Sequence, residues 1–554
     1  MRVRSLSMRC WGIVLGLACA GTWALPTSLP TNSGEILRQT QQGVVGETRA
    51  PSQDVLPPML MPGGGPVRHG GAHVRVKSFV LKGVGCFKET ELQALLKNRV
   101  GQEQDVADLY EAADQITSFY RQHGYILARA YVPAQDLDQG VVTLVVLEGH
   151  YGRIRLENGS RVRSSRLQPF LNRLQEGSVV QAATLERQLL LMNDIAGVEV
   201  HSTLAPGKQV GATALSVQAE STSRVQGQAG MDNWGERFTG ATRATAQVDV
   251  MNLSGLGDHL DTYLMDTQYG GTKYGHVAYD IGVGGDGLRL GSSYDTLHYL
   301  LAQGYAPLDA YGSAQTGSAY VLWPWIRSRE QTVDMTLNYT HRTLHDIVGS
   351  VGSQDAKWFQ VGSLLLNGQQ QLRGNALATW SMQLTHGVEH AEGVSTAGDQ
   401  GKGIYTHLNL DASWLQPLVS EWSLYGHVQA QRASANLDLS EKMSLGGPQG
   451  VRAYPMGEVQ ADDAVLGTIE LRRLITTTLQ AWLFWDTGYG HSYHNPLASD
   501  VNNRRAIGGP GFGGNWNMTT HLHMRADLAW PVESPAVSAP QDRPTIWWQL
   551  GASF

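Results

Sequence analysis

Two hydrophobic periods divide this chain. From about residue 221 to the final Phe554, apolar and polar residues alternate singly, which is the period of a strand with unlike surroundings on its two faces. In VDMTLNYT, Val333, Met335, Leu337 and Tyr339 face one way, while Asp334, Thr336, Asn338 and Thr340 face the other. HVAYDIGV sets Val277, Tyr279, Ile281 and Val283 against His276, Ala278 and Asp280. HLHMRADLAW sets Leu522, Met524, Ala526, Leu528 and Trp530 against His521, His523, Arg525 and Asp527, and IWWQLGASF puts Ile546, Trp548, Leu550, Ala552 and Phe554 on one face. A soluble sandwich also alternates. Here the pattern runs for roughly 330 residues with aromatics near strand ends, and strands of ~10 residues with their turns would give about 16 of them. A closed barrel leaves no unpaired edge in lipid.

Upstream the period is helical. In DVADLYEAADQITSFYRQHGY, Val106, Leu109, Ala112, Ala113, Ile116, Phe119 and Tyr120 share one face, and Gly124 stops the helix. Strands and a shorter helix around it give the order β-α-α-β-β over residues 73–149. The order repeats over 150–220, where Leu185, Leu189, Met192 and Ile195 align on a second helix. Before these modules, residues 46–72 hold PSQDVLPPMLMPGGGP and read as a linker. Residues 25–45 hold a short polar helix, Glu35 to Gln42, with Ser33 as its expected cap. Residues 1–24 combine a basic start (Arg2, Arg4, Arg9), an apolar run from Trp11 to Ala20 and a small-x-small site at Thr22-Trp23-Ala24, a secretory signal peptide.

Composition changes this picture in one direction. Charged residues make up only 16% of the chain, and it carries 64 Gly, 15 Trp and 20 Tyr against 9 Phe. No other stretch is long and apolar enough for a spanning helix. An exported chain with few charges, much Gly and Trp and period-two alternation fits an outer-membrane barrel. A net charge of -7 gives no reason to expect nucleic acid as a partner. Cys86 is the one cysteine left after the signal, so no intrachain disulfide forms, and it reads as a small apolar residue. The chain has no GxxxxGK[ST], HExxH or GxSxG, so neither an enzyme nor a nucleotide site is expected. The inward His521 and His523 read as polar lining; no metal and no cofactor is expected.

Five stretches then carry a resemblance. They are ITSFYRQHGYILARAYVPAQDLDQGVVTLVVLEG (116–149), LMNDIAGVEVHSTLAPG (191–207), MDNWGERFTGATRATAQVDVMNLSGLGD (231–258), GGPQGVRAYP (446–455) and FWDTG (484–488). Together they resemble the two-partner secretion transporters, the TpsB class of FhaC and ShlB type within the Omp85 superfamily. The resemblance implies a mainly β fold: two periplasmic POTRA domains (73–149 and 150–220), a 16-stranded antiparallel transmembrane barrel (221–554), and an N-terminal helix that plugs the lumen. It also implies that the sixth extracellular loop folds back into the barrel. Its Val451-Arg452-Ala453-Tyr454 resembles a VRGY motif whose Arg meets the Asp of FxDxG, here Asp486. Gly450, Val451, Tyr454, Phe484 and Gly488 would support the pair. Alternation agrees, since Phe484, Asp486 and Gly488 share the face opposite the lipid-side Leu483 and Trp485. A guanidinium fork suits a carboxylate, and the pair is expected in a water-lined lumen. Ala453 stands where the family favours Gly, which would add strain if that position needs a positive φ.

The resemblance implies export of one partner exoprotein, a TpsA-type, haemolysin- or adhesin-like β-helical protein, across the outer membrane of a Gram-negative bacterium without ATP. The POTRA domains would recognise it in the periplasm. Outer-membrane lipid and, during biogenesis, the barrel-assembly machinery are the other expected partners. An Omp85-type barrel-assembly insertase is the alternative, and a passive porin a weaker one because porins have no use for the two modules.

Overall fold

The computed structural model describes residues 31–42, 73–137, 139–392, 403–496, 502–538 and 544–554. The expected signal peptide and linker lie outside them.

The two α/β modules share one topology. In the first, Ser78–Lys82 pairs in parallel with Val141–Leu147, which pairs antiparallel with Arg129–Tyr131. In the second, His150–Asn158, Ala212–Ser221 and Val198–Pro206 repeat that arrangement. The helix Val106–Gln122 begins at a capping box in which Asp105 and Asp108 satisfy each other's backbone N–H. Leu109, Ala112, Ala113, Ile116 and Tyr120 are buried against the sheet as the period requires. Val106, in the first turn, stays exposed. Glu148 ends the last strand and accepts the N–H groups of Gly85 (2.7 Å) and Cys86 (2.8 Å) and the Tyr120 hydroxyl (2.8 Å). Burial pushes its carboxyl up, but these donors outweigh burial and hold it below the ordinary glutamate value.

The second module is seated on the periplasmic turns of the barrel. Asp194 takes both nitrogens of the Arg327 fork at 2.7 and 2.9 Å, and Arg187 donates to the Pro324 carbonyl at 2.8 Å. Arg166 donates to the Leu256 carbonyl, and Arg173 pairs with Asp286.

Sixteen antiparallel strands then close on themselves, from Val225–Asp232 to Thr545–Ser553. The closing register runs from Gln549 opposite Asp232 to Ser553 opposite Gln228. Several strands exceed the expected ~10 residues: Ala310–Arg327, Gln331–Val348 and Ser353–Gln371 have 18, 18 and 19. At ~3.3 Å per residue they outrun the hydrocarbon layer and continue as wall beyond it. Alternation sorts the faces as read: Leu337, Tyr339, Ile469, Leu483, Trp485 and Ile546 are exposed outward. Among the described residues no helix is long and apolar enough to cross a membrane.

Two elements fill the lumen. One is the helix Ser33–Gln42. Its cap differs from expectation: Asn32 Oδ1 accepts the Glu35 N–H at 2.9 Å, while Ser33 lies inside the helix and turns outward. The Ser33 N–H and hydroxyl both go to the wall carboxylate Asp346, each at 2.9 Å. The other element is the long connection 434–462 between the strands Trp422–Ala433 and Asp463–Leu474, which turns inward and carries the opening motif.

Candidate functional site

The inward connection is a chain of tight turns. Gly446 and Gly450 have no room for a side chain, since an added Cβ would lie 2.2 Å from the Pro455 carbonyl oxygen and 2.3 Å from that of Leu445. Gly447 holds a φ of +107°. Val451 donates its N–H to the Leu445 carbonyl at 2.7 Å and is fully buried. Its side chain packs on Gly488, where a Cβ would stand 3.2 Å from Val451 Cγ2. Tyr454 is also fully buried and donates its hydroxyl to the Ser534 carbonyl at 2.7 Å.

These turns deliver Arg452 to the wall. Its Nε donates to Asp486 Oδ2 at 2.9 Å and its Nη2 to Asp486 Oδ1 at 2.8 Å, a bidentate fork. The backbone N–H of Arg452 adds a third bond to the same carboxylate at 3.1 Å. Asp486 lies on the strand Leu479–His491 with Phe484 and Gly488 on the lumenal face. The Phe484 ring lies flat under the guanidinium, 3.3 Å from Arg452 Cζ to the ring centroid. The sequence-predicted residues Gly450, Val451, Arg452, Tyr454, Phe484, Asp486 and Gly488 therefore meet in one place.

Sequence reasoning found one acid where the structure has three. Arg452 Nη1 also pairs with Glu470 at 2.8 Å and Asp527 at 3.2 Å. Arg472 neutralises the other side of Glu470 at 2.7 Å, and Arg525 that of Asp527 at 2.9 Å. Thr468 donates to Asp486 at 2.9 Å and the Trp482 indole to Asp527 at 2.8 Å. Three guanidinium groups thus balance three carboxylates. The surroundings also differ from the water-lined pair expected: Arg452 is 3% exposed and Asp486 0%. The loop itself covers them. A cavity of about 400 Å³ borders the site, lined by Arg452, Glu470, Arg472, Arg525, Asp411 and His427 among others.

The site rests on a floor of glycines that sequence reasoning missed. The strand Arg504–Asn517 turns Gly509, Gly511 and Gly513 inward. A Cβ at Gly511 would lie 2.1 Å from the Phe484 ring, and one at Gly513 would lie 2.6 Å from the Trp482 indole nitrogen. In register, Phe484 stands opposite Gly511, and Gly513 lies between Trp482 and Asp527. The glycines let rings lie across the strand and reach the acid beyond it. Gly509 makes room for Ala453, whose methyl would stand 2.9 Å from a Cβ there. Ala453 is not among the residues at positive φ, so the departure from the family's Gly adds no backbone strain. Further bonds tie the loop to the final strand: Trp547 donates to the Arg452 carbonyl at 2.8 Å and Thr545 to the Ala453 carbonyl at 2.9 Å.

A second anchor sits further along the loop. Lys357 pairs with Asp438 at 2.9 Å, and Arg342 and His407 pair with Glu441 at 2.7 and 3.0 Å. The helix Ser33–Gln42 lies against this part. A Cβ on Gly34 would be 2.7 Å from Ser440 Cβ, and Glu35 accepts from Gln460 of the loop at 2.7 Å. On the wall side Arg38 donates to Gln431 at 3.2 Å.

A closed lipid-facing barrel, two α/β modules at one mouth and an inward loop locked by an Arg–Asp fork define the build of an outer-membrane transporter. The family "haemolysin secretion/activation protein ShlB/FhaC/HecB" matches residues 211–509, and the ShlB-type POTRA domain matches 74–149. The chain belongs to this family of two-partner secretion transporters. It is 27% identical over 480 residues to the heme/hemopexin transporter protein HuxB of Haemophilus influenzae, covering 84% of each chain. It is 24% identical over 506 residues to the outer membrane transporter CdiB of Escherichia coli, covering 86% of this chain and 82% of the relative. The solved structure of CdiB from Escherichia coli shares the fold with a TM-score of 0.74 at 19% identity, over 94% of this chain and 98% of that one. The protein resides in the outer membrane of a Gram-negative bacterium with its POTRA region in the periplasm. Its family is one of transporters and not of enzymes.

Proposed function

We propose that this transporter exports a single partner exoprotein, of haemolysin or adhesin type with a β-helical body, through the barrel lumen and without ATP. The observation that carries this reading is the unequal fastening of the two lumenal elements. The loop is held by buried ion pairs to several strands, whereas the helix Ser33–Gln42 is held by hydrogen bonds, two aliphatic side chains and the attraction of Arg38 for Glu441. The helix is the removable part, a plug, and the Arg452–Asp486 lock holds the loop while the plug is away. The partner arrives unfolded. The sheet edges at Ser78–Lys82 and Arg129–Tyr131, and at His150–Asn158 and Val198–Pro206, offer it backbone groups for strand addition. The chain has no nucleotide-binding motif, so folding outside the cell supplies the outward bias. The barrel-assembly machinery inserts the barrel, whose outward apolar face then meets lipid.

Reconstitution tests this. The purified protein is placed in nucleotide-free liposomes and given the unfolded product of the neighbouring exoprotein gene on its POTRA side. Protease-protected exoprotein should accumulate inside, and should not when residues 73–149 are deleted, although the barrel stays folded and heat-modifiable. Protection that requires ATP, or that persists undiminished in the deletion, overturns the reading.

A further inference from the structure

The lumen of a barrel is ordinarily polar, but the wall behind the helix carries an apolar patch among its charged and hydroxyl groups. Tyr274, Leu297, Tyr299, Leu344, Phe359 and Tyr405 turn inward and form one buried apolar cluster with Ile36 and Leu37. Leu297, Leu344 and Phe359 are at most 1% exposed. At the edge of this patch Asp346 accepts the N–H and hydroxyl of Ser33 and the Tyr299 hydroxyl, the last at 2.7 Å. The apolar patch requires only that aliphatic side chains be presented together. The helix supplies them from the adjacent positions Ile36 and Leu37, and an extended segment supplies them from positions i and i+2, with its intervening polar residues turned toward the lumen.

Space points the same way. Beyond the helix and loop, the cavity of about 400 Å³ is shared with side chains of both, and the loop is fixed by its ion pairs. A polypeptide in passage therefore takes the room of the helix, and doing so it meets the apolar wall that the helix uncovers. An uncovered patch of this kind is driven to find an apolar partner. The contact must also be weak enough to let the chain move on, as two aliphatic positions are.

We propose that the seat of the helix is itself a binding site for the exported chain, in which an extended segment alternating aliphatic with polar residues lays its aliphatic face in the cradle that Ile36 and Leu37 fill at rest. This rests on the reading of the helix as a plug. The helix is then a resident stand-in for the cargo, and cargo and helix compete for one surface.

Planar-bilayer recordings of the protein lacking residues 25–45 test it with three defined peptides. One is residues 31–42 of this chain. The second is a lysine-flanked peptide alternating valine with serine and threonine. The third is the second with each valine replaced by asparagine. The first two should lower the conductance of the opened channel by about half or more, and the third should have no effect at the same concentrations. Leu344→Asn should raise the half-blocking concentration of both active peptides about tenfold, as expected for one lost apolar contact. Gln429→Asn, whose amide bonds Asp411 and lies outside the apolar cluster, should leave it unchanged. Phe359→Asn replaces Leu344→Asn if the latter does not insert. Block by the helix peptide alone assigns the seat to the helix only and overturns the inference while leaving the plug intact. Equal block by the valine-free peptide, or block insensitive to the seat substitutions, also overturns it. If deleting 25–45 opens nothing and no peptide acts, the plug reading falls, and this inference with it.

Discussion

The inward loop and the N-terminal helix occupy the same lumen and are fastened by opposite means. The loop meets the wall through charges that are buried and balanced, Arg452, Arg472 and Arg525 against Glu470, Asp486 and Asp527. The helix meets it through Ile36, Leu37 and a few hydrogen bonds. A buried charge network resists release, because withdrawing the cation that its acids share strands them at a cost of about 3–5 kcal/mol. An apolar contact with a handful of hydrogen bonds can be given up and remade piecemeal. The contrast teaches which element is built to stay and which to leave.

The contrast breaks most sharply at Arg452. Arg452→Ala should cut export at least tenfold, read as partner in the culture supernatant against transporter in the outer membrane. It leaves three carboxylates facing one another. Asp486→Ala should do less harm, because Glu470 and Asp527 still hold the guanidinium. The double variant should be no worse than Arg452→Ala, the two residues being one unit. Equal defects in the two singles would mean that the flanking acids carry no load. Deleting residues 25–45 should give the reverse pattern, a several-fold rise in bilayer conductance with the barrel intact. Unchanged conductance would remove the helix as a plug. Gly511→Val comes next: its side chain displaces the Phe484 ring from beneath Arg452, an overpacking cost of about 1–3 kcal/mol. Export should fall by an intermediate amount, and a wild-type level would show that the ring is incidental. The smallest effect is expected of Gly34→Ala. Its methyl meets Ser440 Cβ at 2.7 Å and Leu344 at 3.0 Å, so the helix should lift and the channel flicker open more often in single-channel records. A quieter channel would mean that the loop yields instead.

Much of this site is legible in the sequence. Arg452 and Asp486 could be paired because the resemblance named both motifs and alternation put Asp486 on the lumenal face. Asp527 was also placed on an inward face, yet nothing in HLHMRADLAW says how far along the barrel it stands from Asp486. That distance is set by the stagger of three neighbouring strands, which period-two alternation does not encode. Glu470 escaped for the same reason. Gly509, Gly511 and Gly513 were visible as composition, but their meaning depends on rings arriving from the strand beside them. The helix Val106–Gln122 is legible to within a residue or so because its apolar stripe and the Gly124 that stops it are local. For the short helix in the lumen the extent was nearly right and the cap was wrong: Ser33 was drawn away by Asp346, 313 positions along the chain, leaving Asn32 to cap.

The bonds from Trp547 and Thr545 to the carbonyls of Arg452 and Ala453 carry a consequence for the order in which the molecule is made. Asp527, Trp547 and Thr545 belong to the last hairpin of the barrel, so every partner of the motif is present only when the C-terminal end of the chain has been laid in place. Until then Arg452 has only part of its shell and the loop has no settled position. Seating of the loop is therefore a late event that reports a finished wall. A barrel truncated or misthreaded in its last two strands would be left with a loose loop.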